Sequence, residues 1–247
     1  MWPALYCLSF AGPCAVAACF RPEYFRFLTY WTLSLHVLAA LLRSIPGVPC
    51  ALRRFAHGCS VVGAMSVLIG YASVGFGGAL RFGSWFAWEQ ALHGDMPFTE
   101  LVVMKSYEHL WPVLAVCIDV KRSRSELHEI YAGASAMGSL ALALVGYVAL
   151  GTAWEKTCAA DAGDTLTIYK QPDAFGTAPI LARLGVAEEA AASLPADFIF
   201  ANAQKLLMIC TAAIAYARQV WPLISATPAT AAEAHASARR SPRRKAD

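Results

Sequence analysis

Long apolar stretches alternate with short polar ones along this chain. A helix needs roughly 20 mainly apolar residues to cross a hydrocarbon layer about 30 Å thick. Six stretches approach that length, and they lie at 1–20, 25–42, 56–80, 100–120, 131–153 and 198–224. The two-residue alternation of a membrane-spanning strand is absent from them. The pattern therefore predicts an all-α membrane protein, a six-transmembrane-helix bundle within residues 1–225.

The composition agrees with this prediction. Of the 247 residues, 57% are hydrophobic and only 15% are charged, which is unlike a soluble domain. The formal net charge of +3 is too small to indicate a nucleic-acid partner. We therefore expect the chain to be embedded in the lipid bilayer. The eight cysteines form no C-x-x-C pair and mostly lie in apolar stretches. That placement favours reduced packing residues over zinc or redox chemistry.

Positive charge indicates the orientation of the bundle. Cytoplasmic loops of membrane proteins collect Lys and Arg. The connections after the second and fourth stretches do so, for example at Arg53, Arg54 and Arg122, and so does the C-terminal tail. We therefore expect a multi-pass protein of an endomembrane or the plasma membrane, with both termini in the cytoplasm.

The two ends of the chain carry their own signals. No Lys or Arg precedes Arg21, which favours a retained first helix over a cleaved signal peptide. Residues 226–247 are rich in alanine and then basic, without apolar periodicity. They predict a disordered cytoplasmic tail, which either touches anionic lipid or is simply solvated.

Two long connections fall on the predicted outer side. Residues 81–99 carry Trp85, Phe86 and Trp88, aromatic side chains that suit the headgroup layer. Residues 154–197 are polar and form a connection that is long for a compact bundle. Connections of this length are lids, binding surfaces or disordered segments.

The fourth stretch contains the most ionisable residues. Such residues inside a span are costly and usually face the bundle interior or a water-filled cavity. Lys105 and Glu108 are three residues apart and are predicted to pair. Pro112 has no N–H, so the carbonyl of Glu108 loses its helical donor, and the turn that contains His109 should open or kink. His109 is therefore a candidate site residue; the alternative is a packing residue bonded to a neighbouring helix.

Thr29 in the second stretch is a candidate nucleophile. A threonine hydroxyl needs a base within about 2.6–3.2 Å to become nucleophilic. His36 is not that base, because seven residues separate the two by about 10 Å along a helix. His109 is the better partner, since its depth differs from that of Thr29 by roughly 6–8 Å, which helix tilt and a kink can close. The alternative is a hydroxyl bonded back to the carbonyl of Phe25 or Arg26.

Both candidates lie in recognisable motifs. Residues 25–31 (FRFLTYW) look like the F-x-F-L-T entry of the androgen-induced, FAR-17a/AIG1-like membrane proteins. Residues 109–119 (HLWPVLAVCID) resemble the H-x-x-P-x6-D helix of fungal and protist members of that family. The order of helices and the spacing of the motifs agree along residues 20–224. Animal members have their histidine two positions further from the proline, where this chain has Tyr107.

The resemblance implies a six-helix membrane hydrolase that cleaves fatty-acid esters of hydroxy fatty acids. Thr29 would be the nucleophile and His109 the general base, acting on a fatty-acyl ester that enters from the bilayer, with neither metal nor cofactor. A rival reading is a non-catalytic accessory subunit that binds other membrane proteins through 81–99 and 154–197. A transporter has less support, because the sequence shows no internal repeat and no matched pair of broken helices.

Overall fold

The computed structural model describes residues 2–158, 185–187 and 196–225. Within these ranges the chain is helical and contains no strand. A 3₁₀ turn at Pro22–Arg26 leads into the second helix, and a π-helical turn at Ser106–Leu110 joins the fifth helix to the sixth. The helices are α1 (Trp2–Phe20), α2 (Leu28–Ser44), α3 (Cys50–Phe82), α4 (Trp85–His93), α5 (Phe98–Lys105), α6 (Trp111–Arg122), α7 (Arg124–Tyr131), α8 (Ala136–Cys158) and α9 (Ala196–Ser225).

The helices make this a multi-pass membrane protein, as the hydropathy pattern predicts. Among the described residues, five helical segments are long and apolar enough to cross a bilayer. They are Trp2–Phe20, Cys50–Leu80, Phe98–Arg122, Ala136–Trp154 and Leu206–Ser225. Their outward faces expose large apolar side chains such as Leu8, Val103 and Val145, which suits contact with acyl chains.

α2 is shorter than the apolar stretch that predicts it. It has 17 residues and a length of about 26 Å, slightly less than the hydrocarbon thickness. Pro22 starts the 3₁₀ turn, and Phe27 is extended at φ −98° and ψ 134°, so α-helical geometry begins only at Leu28. This late start places Thr29 in the first turn of α2.

α3 is the central helix. It has 33 residues, about 50 Å, and packs against α2, α4, α6, α8 and α9. It ends at Gly83, whose φ of +82° is the left-handed conformation that glycine adopts easily at a helix terminus. The short helix α4 then folds back onto α3, where Gly78 leaves room for the indole of Trp88. Trp88 is 2% exposed, so it faces the protein and not the lipid headgroups.

A buried ionic network ties several helix ends together at one end of the bundle. Asp119 accepts hydrogen bonds from Arg43 (2.5 Å), Trp2 (2.9 Å) and Ser123 (3.0 Å). The guanidinium of Arg43 also donates two bonds of 3.0 Å to Glu126. The start of α1 therefore meets the ends of α2 and α6, which is the arrangement expected when successive spans alternate in direction.

Two segments with sequence predictions lie wholly or mostly outside the described residues. They are the tail at 226–247 and the connection at 154–197. Of the connection, the structure describes its first five residues as the end of α8, the three residues 185–187, and the start of α9 at Ala196.

Candidate functional site

A larger and a smaller cavity meet beside Thr29 and His109. Phe27, Thr29, Tyr71 and His109 line both of them. The larger cavity encloses about 170 Å³, and most of its other lining residues are apolar. The smaller one encloses about 20 Å³, enough for about one water molecule, and its lining includes Glu89, His93, Lys105 and Glu108. Thr29 and His109, which the sequence predicts to meet, therefore both lie where the apolar cavity adjoins the polar one.

The backbone before α2 leaves the Thr29 hydroxyl uncommitted. The carbonyl of Phe25 accepts a 2.9 Å bond from the indole of Trp31, and that of Arg26 accepts a 2.9 Å bond from the indole of Trp154. In the part of the chain that the structure describes, Thr29 bonds to neither carbonyl and its hydroxyl has no hydrogen-bond partner. Thr29 is half-buried at the cavity wall, so its hydroxyl is available to a ligand.

The turn that holds His109 is widened, as Pro112 predicts. Residues Ser106–Leu110 form a π-helical turn, and the N–H of Trp111 donates to the carbonyl of Ser106, five residues earlier. Proline cannot donate to the carbonyl of Glu108, so a regular α-helical turn would lose a hydrogen bond there. The wider turn therefore costs less free energy at this position. π-Helical turns inside α-helices often occur at functional sites, because one extra residue changes the direction of the side chains.

Stacking holds the imidazole of His109. The ring lies on that of Tyr71, with centroids 3.7 Å apart and planes at 6°. His109 is 6% exposed, and its Nε2 lies 3.7 Å from a carboxylate oxygen of Glu108. Its Nδ1 is enclosed and has no hydrogen-bond partner among the described residues. The alternative of a histidine hydrogen-bonded to a neighbouring helix is therefore not what is observed; the imidazole packs against α3 and keeps a nitrogen unsatisfied.

An ionic cluster lies beside this imidazole. The Nζ of Lys105 is 3.0 Å from Glu108, which confirms the predicted pair, and 3.6 Å from Glu89. The Nε2 of His93 is 3.4 Å from Glu89. The lining of the smaller cavity thus combines two carboxylates and one ammonium with the two imidazoles. Such a chamber suits water or a neutral polar group better than an anion.

Glu89 is the centre of this cluster and is fully buried at 0% exposure. Burial acts to raise the pKa of its carboxyl group. The adjacent imidazole of His93, the charge of Lys105 and the hydrogen bond from Tyr71 outweigh that effect, so the pKa lies below its usual value. The hydroxyl of Tyr71 donates to Glu89 and accepts a 2.7 Å bond from the indole of Trp85. These two hydrogen bonds hold the ring of Tyr71, on which His109 stacks, in place.

Sequence reasoning missed Tyr71, Glu89 and His93. It treated residue 71 as one more position in an apolar span and residues 81–99 as an interfacial connection. A signal was present, because Glu89 and His93 are four residues apart and share a helix face in an otherwise aromatic segment.

Two other motif positions lie away from the cavities. The hydroxyl of Tyr107 donates a 2.5 Å bond to the carbonyl of Ser9, so this side chain points to α1. Tyr107 therefore lines neither cavity. Asp119 belongs to the ionic network with Arg43 at the other end of the bundle, where it joins helices and does not orient His109.

Within the described ranges, no group of three or more His, Cys, Asp or Glu side chains is arranged to hold a metal ion. No protein-family model, curated protein or solved structure matches this chain. The chemistry of the two cavities is therefore the main basis for assigning a function.

Proposed function

We propose that this protein is an integral membrane hydrolase of fatty-acyl esters, with Thr29 as the nucleophile and His109 as the general base. The observation that carries the proposal is the position of the unpartnered Thr29 hydroxyl and the His109 imidazole on the same cavity walls. An acyl ester suits both chambers, since its hydrocarbon fits the apolar one and hydrolytic water fits the polar one. The motif resemblance at 25–31 and 109–119 supports the same chemistry.

The first half of the reaction transfers the acyl group to the protein. The Oγ1 of Thr29 attacks the ester carbonyl carbon while His109 accepts the hydroxyl proton. Negative charge then develops on the carbonyl oxygen beside the first turn of α2, where backbone N–H groups lack intrahelical partners and the helix dipole is positive. The bond from carbon to the alcohol oxygen breaks, and His109 returns the proton to the leaving alkoxide.

The second half releases the fatty acid. Water from the polar cavity attacks the acyl-threonine carbonyl while His109 accepts one of its protons. The bond between the acyl carbon and Thr29 breaks, and the proton returns to the threonine oxygen. Glu89, Lys105 and Glu108 support this step by making the chamber on that side polar enough to hold water.

The proposal includes six crossings with both termini in the cytoplasm. α2 would be the sixth crossing, shortened by its 3₁₀ entry. The meeting of Trp2, Arg43 and Asp119 supports alternating directions, since these residues lie at the start of α1 and near the ends of α2 and α6. Thr29 and His109 then lie towards the outer side of an endomembrane or the plasma membrane.

Covalent labelling tests the catalytic assignment. We expect a fluorophosphonate probe to label the purified protein, Thr29→Ala and His109→Ala to abolish labelling, and Thr29→Ser to retain it. Thr152→Ala is the matched control, because this exposed hydroxyl bonds only to the carbonyl of Val148 and should not affect labelling. Labelling that persists in Thr29→Ala would remove its role as nucleophile, and persistence in His109→Ala would remove its role as base.

A non-catalytic accessory subunit is the second candidate. The enclosure of His109 favours it, because an imidazole that is 6% exposed, with a buried Nδ1 that has no hydrogen-bond partner among the described residues, is packed as a structural residue would be. Absence of labelling in the folded wild-type protein would support this role and contradict the hydrolase.

A further inference from the structure

A seam of buried polar side chains runs through the bundle, from the cavities to the opposite end. On α2 it consists of Thr32, His36 and Arg43, which are all buried. These residues follow Thr29 at steps of three, four and seven positions, so all four share one face of the helix. Ionisable side chains are costly inside a bilayer, and those that occur there often mark routes for ions or protons.

α3 adds polar groups opposite this face of α2. A Cβ at Gly63 would lie 2.8 Å from the methyl carbon of Thr32, so these two positions are level with each other. The two helices are joined by a short connection and run in opposite directions. Ser60 and His57 therefore lie about 4.5 Å and 9 Å further from the cavities than this level. His36 lies about 6 Å further, which places it between them.

Two buried histidines form the centre of the seam, and each is bonded through one nitrogen. The Nδ1 of His36 is 2.7 Å from the hydroxyl of Tyr6 on α1, and the Nδ1 of His57 is 2.9 Å from that of Tyr131 on α7. The Nε2 atoms of both rings are enclosed and have no hydrogen-bond partner in the described part of the chain. Each imidazole thus has a nitrogen that can bind water or exchange a proton.

The ionic network at Asp119 continues the seam to the far end of the bundle. The Nε2 of His57 lies 3.9 Å from the carboxylate oxygen of Asp119 that also accepts the bond from Arg43. Arg43 in turn binds Glu126, whose side chain is 34% exposed and so reaches the surface. Two carboxylates offset the charge of this one guanidinium, which therefore does not by itself exclude a proton from His57.

At its other end the seam meets the larger cavity. The hydroxyls of Thr32 and Tyr147 are 3.2 Å apart and hydrogen-bonded. Tyr147 also lines that cavity, together with Thr29 and His109. Between Thr29 and His57, successive polar groups of the seam therefore differ in depth by no more than about one helical turn. A single water molecule bridges polar groups at such separations.

We propose that this buried polar seam conducts protons between the two ends of the bundle, with His36 and His57 as the relay groups. An imidazole suits this role because it accepts a proton at one nitrogen and releases one from the other. Each transfer moves one proton and no electron, and a proton gradient or a membrane potential is the driving force. A hydrated metal ion has no room, since Gly63 lets Thr32 and Tyr147 pack directly against α3. The proposal goes beyond the hydrolase and does not depend on it.

Proton flux into vesicles tests the proposal. The purified protein is reconstituted into phosphatidylcholine vesicles that enclose a pH-sensitive dye, and an outward potassium gradient with valinomycin makes the interior negative. We expect these vesicles to acidify several times faster than vesicles without protein. His36→Phe and His57→Phe should each abolish the protein-dependent acidification, because a phenyl ring fills the space of the imidazole but carries no exchangeable proton.

The control is matched by residue type. His128→Phe makes the same change at an imidazole that bonds to the carbonyl of Leu223, away from the seam, and should leave the flux unchanged. If His57→Phe does not fold, Thr32→Val removes a hydroxyl of the seam with little change of shape and should slow the flux. The proposal is overturned if the wild-type protein adds no acidification, if His36→Phe and His57→Phe conduct like the wild type, or if His128→Phe loses as much flux as they do.

Two further readouts separate this function from others. A sodium-sensitive dye in the same vesicles should report no sodium entry, and sodium flux would indicate a wider pore and contradict a proton relay. Fluorophosphonate labelling of His36→Phe and His57→Phe should match the wild type, because neither ring forms part of the walls of the two cavities. Proton flux without any labelling of the wild type would retain the relay and contradict the hydrolase, whereas labelling without proton flux would do the reverse.

Discussion

The imidazole of His109 and the phenol ring of Tyr71 lie face to face, 3.7 Å apart and nearly parallel. The hydroxyl of Tyr71 is held in turn by Glu89 and Trp85 of α4. The position of the His109 imidazole thus depends on α4, although no side chain of α4 takes part in the proposed bond-making steps. This relationship explains why the short, polar-centred α4 folds against α3.

Tyr71 is expected to position the general base. Replacing it with alanine removes the stacking surface, and misplacement of a catalytic group by about 1 Å costs about 10²-fold in rate. Tyr71→Phe keeps the ring and loses only the bonds to Glu89 and Trp85, so its loss should be smaller. Rates of fluorophosphonate labelling or ester hydrolysis measure both variants. Equal rates in wild type and Tyr71→Ala would contradict a positioning role.

Pro112 is expected to matter for activity more than for stability. Pro112→Ala restores an N–H that can donate to the carbonyl of Glu108, which favours an ordinary α-helical turn in place of Ser106–Leu110. The side chain of His109 would then change direction and the labelling rate should fall by about 10²-fold. The melting temperature should stay the same or rise. A variant with unchanged activity would show that the π-helical turn is not needed to aim His109.

The network at the other end of the bundle is expected to be structural. Asp119→Ala leaves the charge of Arg43 buried without one of its two partners, and breaking a buried pair costs about 3–5 kcal/mol. Thermal unfolding in detergent should show a large decrease in melting temperature, while labelling per folded molecule stays near that of the wild type.

Glu23→Ala is the matched control for that variant. Its partner Arg21 is 3.7 Å away, and both side chains are well exposed, so the change should have almost no effect on unfolding. If Asp119→Ala melts like the wild type, the network does not stabilise the bundle.

The buried carboxylate of Glu89 should make the fold sensitive to acid. Its pKa lies below the usual 4.5 because His93, Lys105 and Tyr71 outweigh the effect of burial. A lowered pKa stabilises the folded state at pH above about 4.5, and this contribution is lost as the pH falls through the lower, folded-state value. Melting temperatures between pH 3 and pH 7 should therefore drop on the acid side in the wild type and drop less in Glu89→Gln. Parallel curves for the two proteins would contradict this role.

Several features of the site could be predicted because they depend on a few neighbouring residues. The pairing of Lys105 with Glu108 follows from their spacing on one helix face, and the opened turn follows from the missing N–H of Pro112. The membrane-spanning helices follow from apolar length, because a chain in lipid must satisfy its own backbone hydrogen bonds.

Other features depend on contacts between distant parts of the chain. The indole of Trp154 bonds to the carbonyl of Arg26, 128 positions away, and helps leave Thr29 with an unpaired hydroxyl. Glu89 meets Tyr71 and Lys105 only because α4 folds back between α3 and α5. Sequence alone therefore determined the apolar helices and the bent turn, whereas Thr29 and His109 remain predicted site residues. Tertiary structure decided that the hydroxyl of Thr29 stays free, that the ring of Tyr71 supports the imidazole and that the carboxylate of Glu89 is buried. Hydrogen bonds and stacking need atoms within a few ångströms of each other, and helical periodicity does not say which helices touch.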